Sequence, residues 1–178
     1  TILLVGGSLG ARTVNESVMQ HLDLVENSGV QFIWQTGKYY YKSIMERLGN
    51  HKQLPMLKVM DFISDMGAAY KAADLVISRA GASSISEFCL IGKPVILVPS
   101  PNVAEDHQTK NALALVDKGA ALYVKDAEAP GVLLEKAVET VKDENKLKEL
   151  SENISKLGLS NSADVIADEV FKLATNKE

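Results

Sequence analysis

The sequence predicts a doubly wound α/β fold around a mostly parallel sheet. Three observations lead there. Short, nearly continuous apolar runs recur along the chain, as strands covered on both faces require. Between them lie segments whose apolar residues recur at helical spacing. Each of the best-defined runs ends in glycine, proline or small polar residues, so strand, turn and helix follow one another.

The elements follow in order. Ile2 to Val5 is the first strand, and Gly6-Gly7-Ser8-Leu9-Gly10-Ala11 is its exit loop. Val14, Val18, Leu22 and Val25 then fall on one face of a single helix. Val30 to Gln35 is the second strand, and a helix over Tyr39 to Leu48 carries an aromatic cluster at Tyr39, Tyr40 and Tyr41. Leu57 to Met60 is the third strand; Phe62-Ile63-Ser64-Asp65-Met66 follows, then a short helix through Ala68 and Ala73. Leu75 to Ile77 is the fourth strand, and Ser78-Arg79-Ala80-Gly81-Ala82-Ser83-Ser84-Ile85-Ser86-Glu87 carries the chain through a glycine turn into a helix. Pro94 to Val98 is the fifth strand. Residues Pro99 to Gln108 form a shaped loop, because proline and polar groups dominate it. A helix from Gln108 to Lys118 stops at Gly119. Ala121 to Val124 is the sixth strand. Helices over Pro130 to Lys142, Glu144 to Leu157 and Ser162 to Thr175 complete the chain, the last with Val165, Ile166, Val170, Phe171 and Leu173 on one face.

Composition narrows the function. A chain of 178 residues suits one domain, and 46% hydrophobic with 24% charged residues is ordinary for a globular fold. A net charge of −4 argues against a nucleic-acid surface. One cysteine, Cys89, excludes an internal disulfide and fits a reducing compartment. It sits in Phe88-Cys89-Leu90-Ile91 and reads as a buried small hydrophobe. The apolar stretch Phe88 to Val98 is broken by Gly92, Lys93 and Pro94, so it is no membrane span. No signal peptide is recognisable. The chain opens directly in a strand without an initiator Met, and it is expected to be a domain of a longer protein with the missing part upstream.

In a doubly wound sheet, ligands bind beyond the carboxyl ends of the strands. Four flagged loops lie there: Gly6 to Gly10, Phe62 to Met66, Ser78 to Ser84, and Pro99 to Gln108. Glycine N–H groups and helix starts suit a phosphate, and Glu87 suits a sugar diol. Phe62 or Ile63 could hold a flat base, or be plain core. The first loop is neither a P-loop nor a full G-x-G-x-x-G fingerprint. Ser8, Ser83 and Ser84 lack His and carboxylate partners at nucleophile spacing. His21 and His51 read as surface residues, and no Asp-x-Asp pair stands near the phosphate loops, so neither metal nor cofactor is expected. The remaining polar set, with Arg79, Glu87, His107 and Gln108, fits a nucleotide-linked sugar.

The loop Gly6-Gly7-Ser8-Leu9-Gly10-Ala11 resembles the GGSxGA loop of the MurG glycosyltransferases. Phe62 to Met66, Ser78 to Glu87 and Asp106-His107-Gln108-Thr109-Lys110-Asn111-Ala112 resemble three further segments of that family, in the same order. The likeness runs from Ile2 to about Val124; beyond Pro130 it is one of pattern only. It implies the C-terminal, UDP-GlcNAc-binding half of a GT-B glycosyltransferase, here residues 1–178. The family transfers GlcNAc, with inversion, from UDP-GlcNAc to lipid-linked muramyl-pentapeptide, giving lipid II for peptidoglycan at the cytoplasmic face of the membrane.

Carried onto this sequence, Gly7, Ser8 and Gly10 would meet the diphosphate, with Gly81, Ala82, Ser83 and Ser84 at the second helix start. The Ile63 backbone would read uracil, Glu87 would hold the ribose, and Gln108 with His107 would hold GlcNAc. Arg79 would lie beside the uracil or shape its loop. Ser84 replaces a frequent Thr, and His107 a Gln found in some members. The family's acceptor site, membrane contact and general base belong to an N-terminal domain absent from this chain, so catalytic residues are not assigned. The chain alone is expected to bind donor and transfer poorly or not at all. The alternatives are a donor subunit of a split transferase, another UDP-sugar GT-B enzyme or an epimerase, and a non-catalytic UDP-sugar-binding module.

Overall fold

The computed structural model describes residues 1–102 and 106–175. The sheet is fully parallel and is built from β1 (Ile2–Val5), β2 (Phe32–Gln35), β3 (Leu57–Met60), β4 (Leu75–Ser78), β5 (Val95–Leu97) and β6 (Leu122–Tyr123). Its strand order is β3-β2-β1-β4-β5-β6, the doubly wound arrangement, with the reversal of direction between β1 and β4. Crossover helices pair with it: α1 (Arg12–Gln20), α2 (Leu22–Asn27), α3 (Lys38–Leu48), α4 (Met66–Ala72), α5 (Ala82–Ile91), α6 (His107–Val116) and α7 (Ala129–Lys142). α8 (Glu144–Ser155) and α9 (Ser162–Thr175) follow.

The apolar runs form strands because both of their faces are needed. Along β1, Ile2 and Leu4 enter one core, with Trp34, Ile77 and Leu133. Leu3 and Val5 enter the other, with Val76, Phe88 and Leu97. This is the period-two alternation of a strand buried on both faces. Each fully buried Leu or Ile contributes roughly 1.5–3 kcal/mol by burial. Register then levels the carboxyl ends: Met60, Gln35, Val5, Ser78 and Leu97 lie side by side across the sheet. Every loop that leaves this line opens on the same edge.

Several details differ from the expectation. The helix expected through Val14 to Val25 is two helices, broken at His21 (φ −126°, ψ 36°). The His21 ring Nδ1 lies 2.9 Å from the Ser17 carbonyl, and the His21 N–H donates instead to Val18. A side chain thereby competes with the backbone for the helical acceptor and ends α1. A 3-10 turn at Gly49–Gln53 was not anticipated. α4 opens earlier than expected, at Met66, because the Asp65 carboxylate caps it by accepting from Ala68 N–H at 2.8 Å. The loop read over Pro99 to Gln108 is described except for 103–105, and it ends where α6 begins at His107. The apolar residues of α9 do face one way, but the helix buries none of them.

Candidate functional site

The first wall of the site is the β1–α1 loop. Gly7 and Gly10 both have positive φ, +82° and +86°, and Gly10 N–H donates to the Gly7 carbonyl at 3.0 Å, closing a tight turn. The loop lies hard against the end of β2. A Cβ on Gly10 would sit 2.0 Å from the Thr36 carbonyl oxygen, and one on Gly37 2.2 Å from Gly10 N. The loop delivers the chain into α1 through Ala11, whose side chain has no acceptor to cap the helix. The first-turn N–H groups of α1 are left without a side-chain cap.

The second wall is the β4–α5 loop. Gly81 is the N-cap of α5, in an extended conformation and again with no capping side chain. Its position is open: a Cβ there would meet no atom within 4 Å. The third wall is the start of α6. Gln108 Oε1 accepts from Ala80 N–H at 3.2 Å and from Ser100 N–H at 2.9 Å, and Asn111 Nδ2 donates to the Ala80 carbonyl at 3.2 Å. These bonds tie the loops after β4 and β5 together. They occupy the Gln108 oxygen and leave its Nε2 without a partner among the described residues.

The walls enclose a cavity of about 830 Å³, lined by Gly7, Ser8, Gly10, Arg79, Gly81, Ser84 and Gln108 among others. A smaller cavity of about 190 Å³ adjoins it, sharing Gly7, Ser8, Ser78 and Ser84 and adding Phe62, Ile63, Tyr70 and Glu87. The two differ in character. The larger offers uncapped helix starts, hydroxyls and an amide, a setting for anions and sugar hydroxyls. The smaller offers an aromatic ring, an apolar wall and a carboxylate. Ile63 buries its side chain, while its backbone N–H and C=O have no hydrogen-bond partner among the described residues. Glu87 is exposed, and its Oε2 accepts from the Tyr70 hydroxyl at 2.9 Å. Burial and then the Glu87 bond push the Tyr70 pKa well up, so this hydroxyl stays a donor.

Not every anticipated residue reaches a cavity. Ala82 and Ser83 occupy the exposed first turn of α5 but line neither cavity, and neither does exposed His107. Arg79 lines the larger one, yet its guanidinium is spent on the protein. It pairs with Asp126 and donates to the Val98 carbonyl (3.0 Å), the Pro99 carbonyl (3.2 Å) and Thr13 Oγ1 (3.1 Å). Of the two roles expected for Arg79, this geometry is that of a loop shaper. Asp126, Thr13, Gln35 and Tyr70 line the site without having been anticipated. The signal for Asp126 was its place just beyond β6, a strand exit like the four that were flagged. Gln35 is the last residue of β2 and donates to the Gly7 carbonyl at 3.0 Å. Among the described residues no three or more His, Cys, Asp or Glu side chains gather as metal ligands would. None of their helices is long and apolar enough to cross a membrane.

Comparison with known proteins adds the following. The model of the glycosyltransferase family 28 C-terminal domain matches residues 1–169. A UDP-N-acetylglucosamine–N-acetylmuramyl-(pentapeptide) pyrophosphoryl-undecaprenol N-acetylglucosamine transferase of Phocaeicola vulgatus is 69% identical over 174 residues, 98% of this chain and 46% of that protein. The protein of the same name from Parabacteroides distasonis is 56% identical over 177 residues, 99% of this chain and 48% of that protein. The chain thus spans about half the length of the curated relatives it matches. The crystal structure of Acinetobacter baumannii MurG superposes with a TM-score of 0.81 at 30% identity, over 96% of this chain and 51% of that one.

Proposed function

Since the chain belongs to the glycosyltransferase family 28 C-terminal domain family, we propose that it is the donor-binding part of a GT-B N-acetylglucosaminyltransferase. Its substrate is UDP-GlcNAc, the donor in the names of its relatives. One observation carries the reading: a small cavity with aromatic, apolar and carboxylate walls opens into a larger polar one across Gly7, Ser8, Ser78 and Ser84. That sequence of environments matches base, ribose, diphosphate and sugar.

In this reading the unpartnered backbone of Ile63 reads the uracil edge and Phe62 stands beside the ring. Glu87 accepts from the ribose hydroxyls, oriented by Tyr70. The Gly7–Gly10 loop with Ser8, and the α5 start at Gly81 and Ser84, hold the diphosphate. The Gln108 amide nitrogen donates to the sugar. As the glycosidic bond breaks, negative charge grows on the departing UDP, and the uncapped helix starts of α1 and α5 beside the cavity stabilise it. Glu87 is bonded to Tyr70, and in this reading it holds the donor while proton exchange belongs to the further domain. The acceptor, a lipid-linked muramyl-pentapeptide, and the general base belong to a further domain, with the whole acting peripherally at the cytoplasmic membrane face.

Calorimetric titration with UDP and UDP-GlcNAc tests this. Both bind the wild-type chain, and Glu87→Ala weakens UDP by about 1.5–3 kcal/mol, the value of a hydrogen bond to a charged group. Unchanged UDP affinity in that variant removes Glu87 from the ribose. Robust GlcNAc transfer by the chain alone overturns the division of labour.

A further inference from the structure

Among the described residues no backbone hydrogen bond joins the two loops that flank the larger cavity. Pairing between β1 and β4 ends at Val5 and Ser78. Beyond those residues the chain leaves the sheet toward α1 on one side and α5 on the other, since the strand order reverses there. What crosses the gap is a triad of side chains. Thr13, in the first turn of α1, donates from Oγ1 to Asp126 Oδ1 at 2.5 Å. Arg79, in the β4–α5 loop, donates from Nη1 to the same oxygen and from Nη2 to Thr13 Oγ1 at 3.1 Å. The Arg79 Nη1 also reaches the Val98 and Pro99 carbonyls at the end of β5. Arg79 and Asp126 are largely shielded, with side chains 18% and 16% exposed, and all three residues line the cavity.

We propose that Asp126 is a positioning residue for the diphosphate. By binding Arg79 and Thr13 through one oxygen, it fixes the spacing between the β1–α1 and β4–α5 loops. It also holds the guanidinium against the exit of β5. Asp126 therefore acts through its two partners and touches no substrate. The inference rests on the donor-binding reading above.

The test measures affinity for UDP and, by ligand-observed NMR, for uridine, in the wild-type chain and in Asp126→Asn and Thr13→Val. Asp126→Asn removes the charge with little change of shape; Thr13→Val removes one arm of the triad and no charge. Each variant is expected to lose roughly tenfold in UDP affinity, the scale of one hydrogen bond to a charged group, with uridine affinity held. Their double variant should lose less than the product of the two, because the bonds share one oxygen. Equal loss for uridine and UDP overturns the proposal, since it marks general damage to the fold. Unchanged UDP affinity also overturns it. Tighter UDP binding in Asp126→Asn overturns it too, because Arg79 would then be a phosphate ligand that Asp126 restrains. Should Asp126→Asn fail to fold, Thr13→Val gives the same reading. A wild-type chain that binds UDP no better than uridine defeats the donor-site reading itself.

Discussion

The loops after β1 and β4 both turn on glycine, and they use it for opposite reasons. Gly10 has positive φ and a neighbour's carbonyl oxygen 2.0 Å from where a Cβ would go. The protein itself has taken the space. Gly81 has an ordinary φ of −69°, and a Cβ there would touch nothing within 4 Å. The protein has no use for that emptiness, which lies on the wall of the larger cavity. A glycine demanded by the fold and a glycine facing open space are indistinguishable as letters. Only their surroundings separate them.

Substitution breaks the comparison open. The largest effect is expected for Gly10→Ala, which combines left-handed backbone with a clash against backbone; it should destabilise the chain by about 3 kcal/mol or more, read as a lowered midpoint in urea denaturation. A midpoint equal to wild type would mean the loop is not pinned against Thr36. Gly81→Ala should do the reverse. An N-cap Ala in place of Gly costs under about 1 kcal/mol of stability. UDP affinity, by contrast, should fall clearly, and a variant that binds UDP as well as wild type would end the claim that this space belongs to a ligand. The smallest effect belongs to Tyr70→Phe. It leaves the Tyr70–Phe88 edge contact in place and removes only the hydroxyl on Glu87. A loss of about 0.5–1.5 kcal/mol in UDP affinity is expected, the net value of one hydrogen bond, and it should vanish with 2′,3′-dideoxy-UDP. A loss that persists with the dideoxy nucleotide would show that Tyr70 shapes the pocket generally.

The reach of the sequence follows the range of each interaction. β1, β4 and β5 were legible because burial on both faces leaves a continuous apolar run, a property of neighbouring letters. The Glu87 helix was legible from another local signal, the glycine turn at Gly81 with small polar residues after it. The break at His21 was not, because it depends on one ring nitrogen meeting the Ser17 carbonyl. Arg79 is the sharpest case. Its position beside the site could be read, but its choice between ligand and loop could not. The deciding partner, Asp126, is 47 residues away, and no spacing rule joins them. Gln108 likewise read as a sugar contact, while its oxygen is committed to Ala80, 28 residues distant. Long-range polar pairs set the site's shape and leave no period in the chain.

One buried pair reaches beyond packing. Trp34 is the only tryptophan of the chain and is wholly buried. Its indole N–H donates to Asn15 Oδ1 at 2.9 Å, and Asn15 Nδ2 donates to the Thr36 carbonyl at 2.9 Å. That carbonyl is the one on which the Gly10 loop rests. The molecule thus carries a single indole, joined through two hydrogen bonds to the edge of its own larger cavity. A shift of that loop is expected to reach the indole through these two bonds, and its emission during a titration, read without any label, checks it.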